Sequence, residues 1–154
     1  MLNDLALSSI ETSVLCWLAT ADSKGQASVS PKQIFCANGT ESLLIANIAS
    51  PHSRANIRQN RKVCVSMIDI FVQKGCKIYG EAKIHEKGSE GYERLVPPLL
   101  KLLEPGYLQI RDVIEVHPTS IKPLMAPSYH LSPEKREEET VRAEGYETYG
   151  VRPL

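Results

Sequence analysis

Two short turns between strand-like segments most constrain the fold of this 154-residue chain. The turn at residues 22–25 separates a continuous apolar run at 14–20 from a second strand-like segment at 26–36. The dipeptide Asn38-Gly39 then separates that segment from residues 42–47. Turns this short join antiparallel neighbours, because a parallel connection needs a crossover of a dozen or more residues. The first third of the chain therefore predicts an antiparallel sheet.

The later strand pattern extends this sheet. Residues 63–69 and 76–85 both alternate between apolar and polar side chains, as a strand with one buried face does. A last strand is predicted over 110–125, with an interruption near Pro118. Only one helix, at about 51–60, lies between strands, whereas a parallel βαβ fold needs helices at regular intervals. Six strands joined by tight turns indicate a small antiparallel barrel.

Two further segments flank this barrel. Residues 89–104 have helical periodicity, and Pro97-Pro98 is expected to break them into two pieces. From residue 126 the chain becomes rich in charge and proline, with a helix expected over 134–144. The predicted organisation is one domain over 1–125 and a C-terminal tail over 126–154 that packs on this domain or on a partner subunit.

Composition narrows the function classes. The 18 basic and 18 acidic residues balance, so the charge favours neither nucleic acid nor an anionic membrane as a partner. No apolar run is long enough to span a bilayer, and no signal peptide is recognisable, so a cytoplasmic location is expected. The four cysteines form no CxxC pair, so free thiols are expected rather than a metal site.

The segment after residues 42–47 has the features of an anion site. Ser50 and Pro51 suit the N-cap and the first position of a helix. The first turn of a helix presents unpaired N–H groups and the positive end of the helix dipole, and here it also carries His52, Ser53 and Arg54. The alternative is an ordinary capped surface helix with solvated basic residues.

A second polar surface is expected on the strand before it. Strand side chains alternate, so Ser28, Ser30 and Lys32 share one face while Val29 and Pro31 share the other. Pro31 cannot donate to a ladder, which predicts an edge strand or a bulge. Two hydroxyl groups and an ammonium suit a phosphate or a polar ring, and the alternative is a plain solvent-facing surface.

The order of these parts resembles the pyridoxamine 5′-phosphate oxidase-like, FMN-binding split-barrel family. The resemblance covers about residues 10–125 and is most specific over 14–82. It is carried by the hairpin Leu18-Ala19-Thr20 through Gly25, by Val29-Ser30-Pro31-Lys32, by Ile45-Ala46-Asn47, by the run from Asn56 to Val63, and by Tyr79-Gly80-Glu81-Ala82. The resemblance implies a mainly β, six-stranded antiparallel Greek-key split barrel with flanking short helices.

It also implies a homodimer with FMN at the subunit interface. The residues expected to bind the cofactor are Ser28, Val29, Ser30, Pro31, Lys32, Ala46, Asn47, Ser50, His52, Ser53, Arg54, Gln73 and Lys74. Gln73 and Lys74 match the region from which the partner subunit reaches the flavin. His52 and Ser53 stand where the family places an Arg-Lys phosphate clamp, so Arg54 or Lys32 is expected to supply the missing cation.

These features predict a flavin-dependent oxidoreductase or flavin reductase of unknown substrate. One alternative is a non-catalytic flavin-binding or electron-transfer module. Another is a relative on the same scaffold that binds deazaflavin or haem, since four histidines are present. No catalytic residue is assigned, because flavin chemistry asks the protein mainly to bind and tune the ring.

Overall fold

Seven antiparallel strands form one curled sheet in the computed structural model, which describes residues 1–104, 106, 109–131 and 137–152. The strand order is β2-β1-β5-β6-β7-β4-β3. In chain order the elements are α1 (Asp4–Thr12), β1 (Cys16–Ala21), β2 (Ala27–Lys32), β3 (Phe35–Asn38), β4 (Ser42–Asn47), α2 (Pro51–Gln59), β5 (Lys62–Asp69), β6 (Lys74–Glu86), α3 (Glu90–Leu100), β7 (Asp112–Met125), α4 (Ser128–Leu131) and α5 (Glu138–Tyr149).

The mainly β split-barrel class is confirmed, but the predicted number of six strands is wrong. Residues 26–36 form two strands, β2 and β3, which lie at opposite edges of the sheet. β2 pairs with β1, and β3 pairs with β4, so the chain crosses from one edge to the other at Gln33 and Ile34. The carbonyl of Ile34 accepts the N–H of Ala46 at 2.9 Å just after this crossing. Pro31 lies on an edge strand, as its missing donor requires.

The inner face of the sheet holds the main core. Cys16, Leu18, Val65, Met67 and Ile78 are fully buried there, and α1 packs over the same cluster. Each buried aliphatic side chain of this kind contributes roughly 1.5–3 kcal/mol. A second core lies between α3 and the opposite face of β4 and β7, and it contains Leu44, Ala46, Tyr92, Leu95, Val96, Leu99, Ile110 and Val113. The residues of β4 are buried on both faces because each face packs against one of these cores.

Helix α3 is continuous through Pro97 and Pro98, so the expected break there is wrong. Both prolines are exposed, and the carbonyls that lose an N–H partner, those of Glu93 and Arg94, belong to exposed residues that water can solvate. The helix is held by its buried face, and Ser89 caps it by accepting the N–H of Tyr92 at 3.2 Å.

The expected interruption of the last strand is a β-bulge within one continuous strand, β7. Gly80 of β6 pairs with Pro118 and Tyr79 pairs with Ser120, so Thr119 is the extra residue. The Thr119 hydroxyl donates to the Tyr79 carbonyl at 3.2 Å. A Cβ on Gly80 would lie 2.4 Å from the His117 carbonyl oxygen, which explains the glycine there. Pro118 disturbs the ladder less because it sits at this bulge.

The C-terminal segment packs on the turn between β5 and β6. Helix α5 covers residues 138–149, and Gly150 ends it in a left-handed conformation with φ 64°. The first residues of the helix expected over 134–144, like residues 153 and 154, lie outside the described residues. All four cysteines are free thiols. In the described part of the chain, no helix is both long and apolar enough to cross a membrane.

Candidate functional site

The side chains of β2 divide between the two faces of the sheet. Ser28, Ser30 and Lys32 pair with Thr20, Leu18 and Cys16, all buried on the inner face. Val29 and Pro31 are exposed on the outer face. The polar face of β2 therefore turns inward, toward the first turn of α2, rather than into open solvent.

Lys32 is a buried cation without an anionic partner. Its side chain belongs to a residue that is only 6 % exposed, and Nζ donates a hydrogen bond to Oγ of Ser50. Among the described residues no carboxylate forms an ion pair with it. Burial lowers the pKa of Lys32, which the nearby Cys16 partly offsets. Burial raises the pKa of the Cys16 thiol from 9.0 to about 12, so this thiol stays neutral and leaves the charge of Lys32 uncompensated.

The first turn of α2 adds further donors beside this cation. Ser50 occupies the N-cap position and Pro51 the first turn, but the Ser50 hydroxyl does not cap the helix because it accepts from Lys32. The backbone N–H groups of His52 and Ser53 have no intrahelical acceptor at these positions. Ser53 is buried, and its hydroxyl lies 3.1 Å from that of Ser30, whereas His52 is exposed. The arrangement joins an ammonium, two hydroxyls and a helix N-terminus, which together favour an anion.

A groove with a cavity volume of about 610 Å³ opens beside Lys32 and Ser50. Its other walls are mainly apolar and include Ile34, Ala46, Ile48, Leu102 and Leu103, and the exposed carboxylate of Glu104 also lines it. A site of this size, with apolar walls and a few polar groups at one end, suits a small molecule that has both an anionic group and an apolar body.

Arg54 and Asn47 have internal partners. Arg54 Nε lies 3.0 Å from Asp112 Oδ2, and Arg54 Nη2 lies 3.3 Å from Glu86 Oε2. Asn47 Nδ2 donates to the same Asp112 oxygen at 3.0 Å, and Asn47 Oδ1 accepts the N–H of Ser50 at 3.2 Å. These contacts tie the start of α2 to β7, which makes both residues suited to positioning the helix.

The structure does not bring Arg54 and Lys32 into one cavity. Arg54 and Asn47 line a separate cavity of about 310 Å³, and residues 48–50 form the wall that it shares with the groove beside Lys32. Lys32 is therefore the better source of a free positive charge. The charge of Arg54 is instead paired with the carboxylates of Asp112 and Glu86. This pairing could not be recognised from the sequence alone.

Gln73 and Lys74 lie away from the groove. The strand registers put Lys32, Cys16, Met67 and Cys76 in one row across the sheet. Three strand spacings separate Lys32 from this part of β6, or roughly 14 Å along the sheet. Gln73 ends the β5–β6 turn with a positive φ of 55°. Within one chain these two residues therefore do not complete the site at Lys32.

A buried polar cluster that the sequence did not reveal lies between β4, β6 and β7. Ser42 donates to Glu115 Oε1 at 2.9 Å, and His85 Nε2 lies 2.8 Å from Glu115 Oε2. His117 Nε2 lies 3.4 Å from the same oxygen. Gly91 of α3 allows the His85 ring to pack closely, since a Cβ there would lie 2.1 Å from Nδ1. The side chains of this cluster hydrogen-bond to one another, which indicates a structural role.

This cluster predicts a loss of stability in acid. Burial alone would raise the pKa of Glu115, but the hydrogen bonds from His85 and Ser42 and the charge of His117 outweigh it and lower the pKa below 4.5. A carboxyl group whose pKa is lowered by folding contributes its full stabilisation above pH 4.5, and this contribution is lost as the pH falls below that value. Glu115→Gln is expected to lower the free energy of unfolding by about 1–3 kcal/mol at pH 7.

Urea unfolding from pH 7 to pH 3 measures this effect, and the difference between wild type and Glu115→Gln should shrink below pH 4.5. Glu41→Gln is the matched control, because Glu41 is exposed and has no ion-pair partner in the described ranges. A difference that stays constant with pH would contradict the assignment.

Comparison with known proteins gives one family and several solved structures. The pyridoxamine 5′-phosphate oxidase family model matches residues 2–124. The crystal structure of HupZ from Group A Streptococcus has a TM-score of 0.68 and 23% identity, covering 82% of this chain and 96% of that one. An FMN-binding protein from Syntrophomonas wolfei has a TM-score of 0.67 and 15% identity, covering 78% and 84%.

The haem storage protein HutZ from Vibrio cholerae has a TM-score of 0.57 and 20% identity, covering 76% of this chain and 90% of that one. Identities this low show a shared fold and leave the ligand open. No curated protein is significantly similar to this chain. The family match takes in all seven strands, from before α1 to the penultimate residue of β7. By this match the chain belongs to the pyridoxamine 5′-phosphate oxidase family.

Proposed function

We propose that this protein binds FMN and acts as a flavin-dependent oxidoreductase or flavin reductase. The observation that carries the proposal is Lys32, a buried ammonium at the uncapped start of α2 that has no carboxylate partner among the described residues. Burying an unpaired charge is costly, so a fold that keeps one suggests a ligand of opposite charge. An FMN phosphate carries nearly two negative charges and several acceptor oxygens, which matches this donor set.

The residues that would hold the phosphate are Lys32, Ser50 and Ser53, with the first amides of α2. Ser30 supports them through its contact with Ser53. The apolar groove beside Lys32 would receive an uncharged part of the cofactor. Bound FMN would supply reversible hydride and electron transfer. The role of Arg54 and Asn47 would be to hold the helix N-terminus in place rather than to contact the phosphate.

The proposed assembly is a homodimer that places flavin between the subunits. The outer face of the sheet exposes Val29, Trp17 and Tyr79, which are 59, 45 and 40 % exposed. The registers place Trp17 beside Pro31 and Ser66, and Tyr79 beside Cys64, on this same face. Apolar side chains grouped on one exposed face often mark an interface. A second copy on this face would bring the partner's β5–β6 turn, with Gln73 and Lys74, toward the flavin.

The visible spectrum of the purified protein, before and after addition of FMN and removal of the excess, tests the cofactor. The expected result is a retained flavin spectrum with about one FMN per chain. A protein that ignores FMN but takes up a deazaflavin, or one that shows a haem Soret band, would refute the assignment and support the corresponding alternative. Turnover of a reduced nicotinamide by the flavin-loaded protein then separates a reductase from a non-catalytic flavin-binding module.

A further inference from the structure

The β5–β6 turn is held by the C-terminal strap, here defined as α4 and α5. The Tyr129 hydroxyl donates to the Val72 carbonyl at 2.7 Å. Arg142 Nη2 lies 3.1 Å from Asp69 Oδ2. Because these contacts come from two separate helices, the strap is bound to the turn at more than one point.

Aromatic packing fixes α5 against the same turn. The Phe71 ring lies 4.8 Å from the Tyr146 ring and 5.9 Å from the Tyr149 ring, measured between centroids. Gly145 permits this approach, because a Cβ there would lie 2.8 Å from the Phe71 carbonyl oxygen. The turn itself keeps Gln73 in a left-handed conformation, which is costly for a residue other than glycine. The strap therefore stabilises a turn that its own sequence does not favour.

The strap also pairs with the ammonium group of Lys74. Nζ lies 2.5 Å from Glu138 Oε1 and 4.4 Å from the centre of the Tyr129 ring. Lys74 is one of the two residues that the proposed dimer brings toward the flavin of the partner subunit. An ammonium that is paired with a carboxylate contributes little attraction to an anionic ligand, because the two charges cancel at a distance.

We propose that the C-terminal strap regulates the flavin site by competing with FMN for Lys74, an inference that rests on the proposed FMN-binding function and on the proposed dimer. The strap and FMN then favour two states of the same ammonium, one paired with Glu138 and one turned toward the flavin. Because binding free energies are coupled reciprocally, weakening the strap raises FMN affinity, and FMN weakens the strap.

FMN titrations at low ionic strength, followed by quenching of flavin fluorescence, test this on the full chain. Glu138→Gln is expected to lower the Kd for FMN by up to about fivefold, the range of an exposed ion pair, and salt should reduce the gain. Glu139→Gln is the matched control, because Glu139 is exposed and no partner for it lies in the described residues. In a Lys74→Ala background, Glu138→Gln should have no effect.

Hydrogen exchange of the wild-type chain gives a readout that does not depend on activity. Addition of FMN should speed amide exchange in α5. Three results would each contradict regulation by the strap without contradicting FMN binding. They are equal Kd values for Glu138→Gln and Glu139→Gln, a gain in affinity that persists without Lys74, and unchanged exchange in α5. A wild-type chain that does not quench FMN would overturn both this inference and the proposed function.

Discussion

Lys32→Met is expected to raise the Kd for FMN about 10- to 100-fold, because it removes a charged donor worth roughly 1.5–3 kcal/mol to a phosphate. The same substitution should make the protein without flavin more stable. Lys32 is a buried cation with no anionic partner in the part of the chain that the structure describes, and Met is an apolar side chain of similar length. We expect a gain of about 1 kcal/mol in the free energy of unfolding.

Opposite changes in affinity and stability separate this outcome from simple misfolding. Burial lowers the pKa of Lys32 below 10.5, so the cost of the buried charge is complete below the lowered pKa and is relieved as the pH rises toward 10.5. The stability gain of Lys32→Met should therefore shrink at high pH. Fluorescence titration and urea unfolding measure the two effects.

Lys62→Met serves as the control, since Lys62 is an exposed lysine at the start of β5 without an ion pair in the described chain. It should change neither quantity by much. If the Lys32→Met protein binds FMN as tightly as the wild type, the phosphate must bind elsewhere. The second cavity, at Arg54, would then be the next candidate for the phosphate site.

Trp17→Lys is expected to convert the proposed dimer into a monomer. Trp17 lies on the outer face of β1, the second strand from one edge of the sheet, with 45 % of its surface exposed. At a twofold interface each substitution places a lysine on both subunits, which costs apolar contact and adds a desolvated charge. Sedimentation equilibrium should give twice the 17.1 kDa chain mass for the wild type and a single chain mass for the variant. FMN affinity should fall with the dimer, because in the proposed assembly the partner subunit completes the site.

Tyr79→Lys provides a second variant on the same face, remote from the C-terminal strap, in case Trp17→Lys disturbs the packing near α5. Leu100→Lys is the control, because Leu100 is a similarly exposed apolar residue at the end of α3, outside the patch formed by Trp17, Val29 and Tyr79. It should remain dimeric and bind FMN as the wild type does. A wild-type protein that is monomeric but retains FMN would contradict the proposed interface but not the proposed phosphate site.

Local patterns in the sequence were enough to predict most of the strands. The turns at 22–25 and at Asn38-Gly39 require close antiparallel neighbours, and the structure has them. These features are local because turn geometry and side-chain alternation depend on neighbouring residues in the chain.

The candidate site could be predicted only as a set of residues. The shared face of Ser30 and Lys32, and the helix start at Ser50, follow from local rules and are present in the structure. Whether each charge is free depends on partners far along the chain. Arg54 pairs with Asp112 and Glu86, while among the described residues the hydrogen-bond partner of Lys32 is a hydroxyl. No local rule distinguishes these two cations.

The sequence by itself determined the antiparallel class, the restriction of Pro31 to an edge strand or a bulge, and the helix that begins at Pro51, because each depends on a few adjacent residues. The tertiary structure alone decided that residues 26–36 divide between the two edges of the sheet, since that crossing requires β4 as a distant partner. It also decided that Lys32 is buried without a carboxylate partner among the described residues and that Lys74 pairs with Glu138 of the C-terminal strap. Charge compensation acts through space, so residues distant in the chain set it.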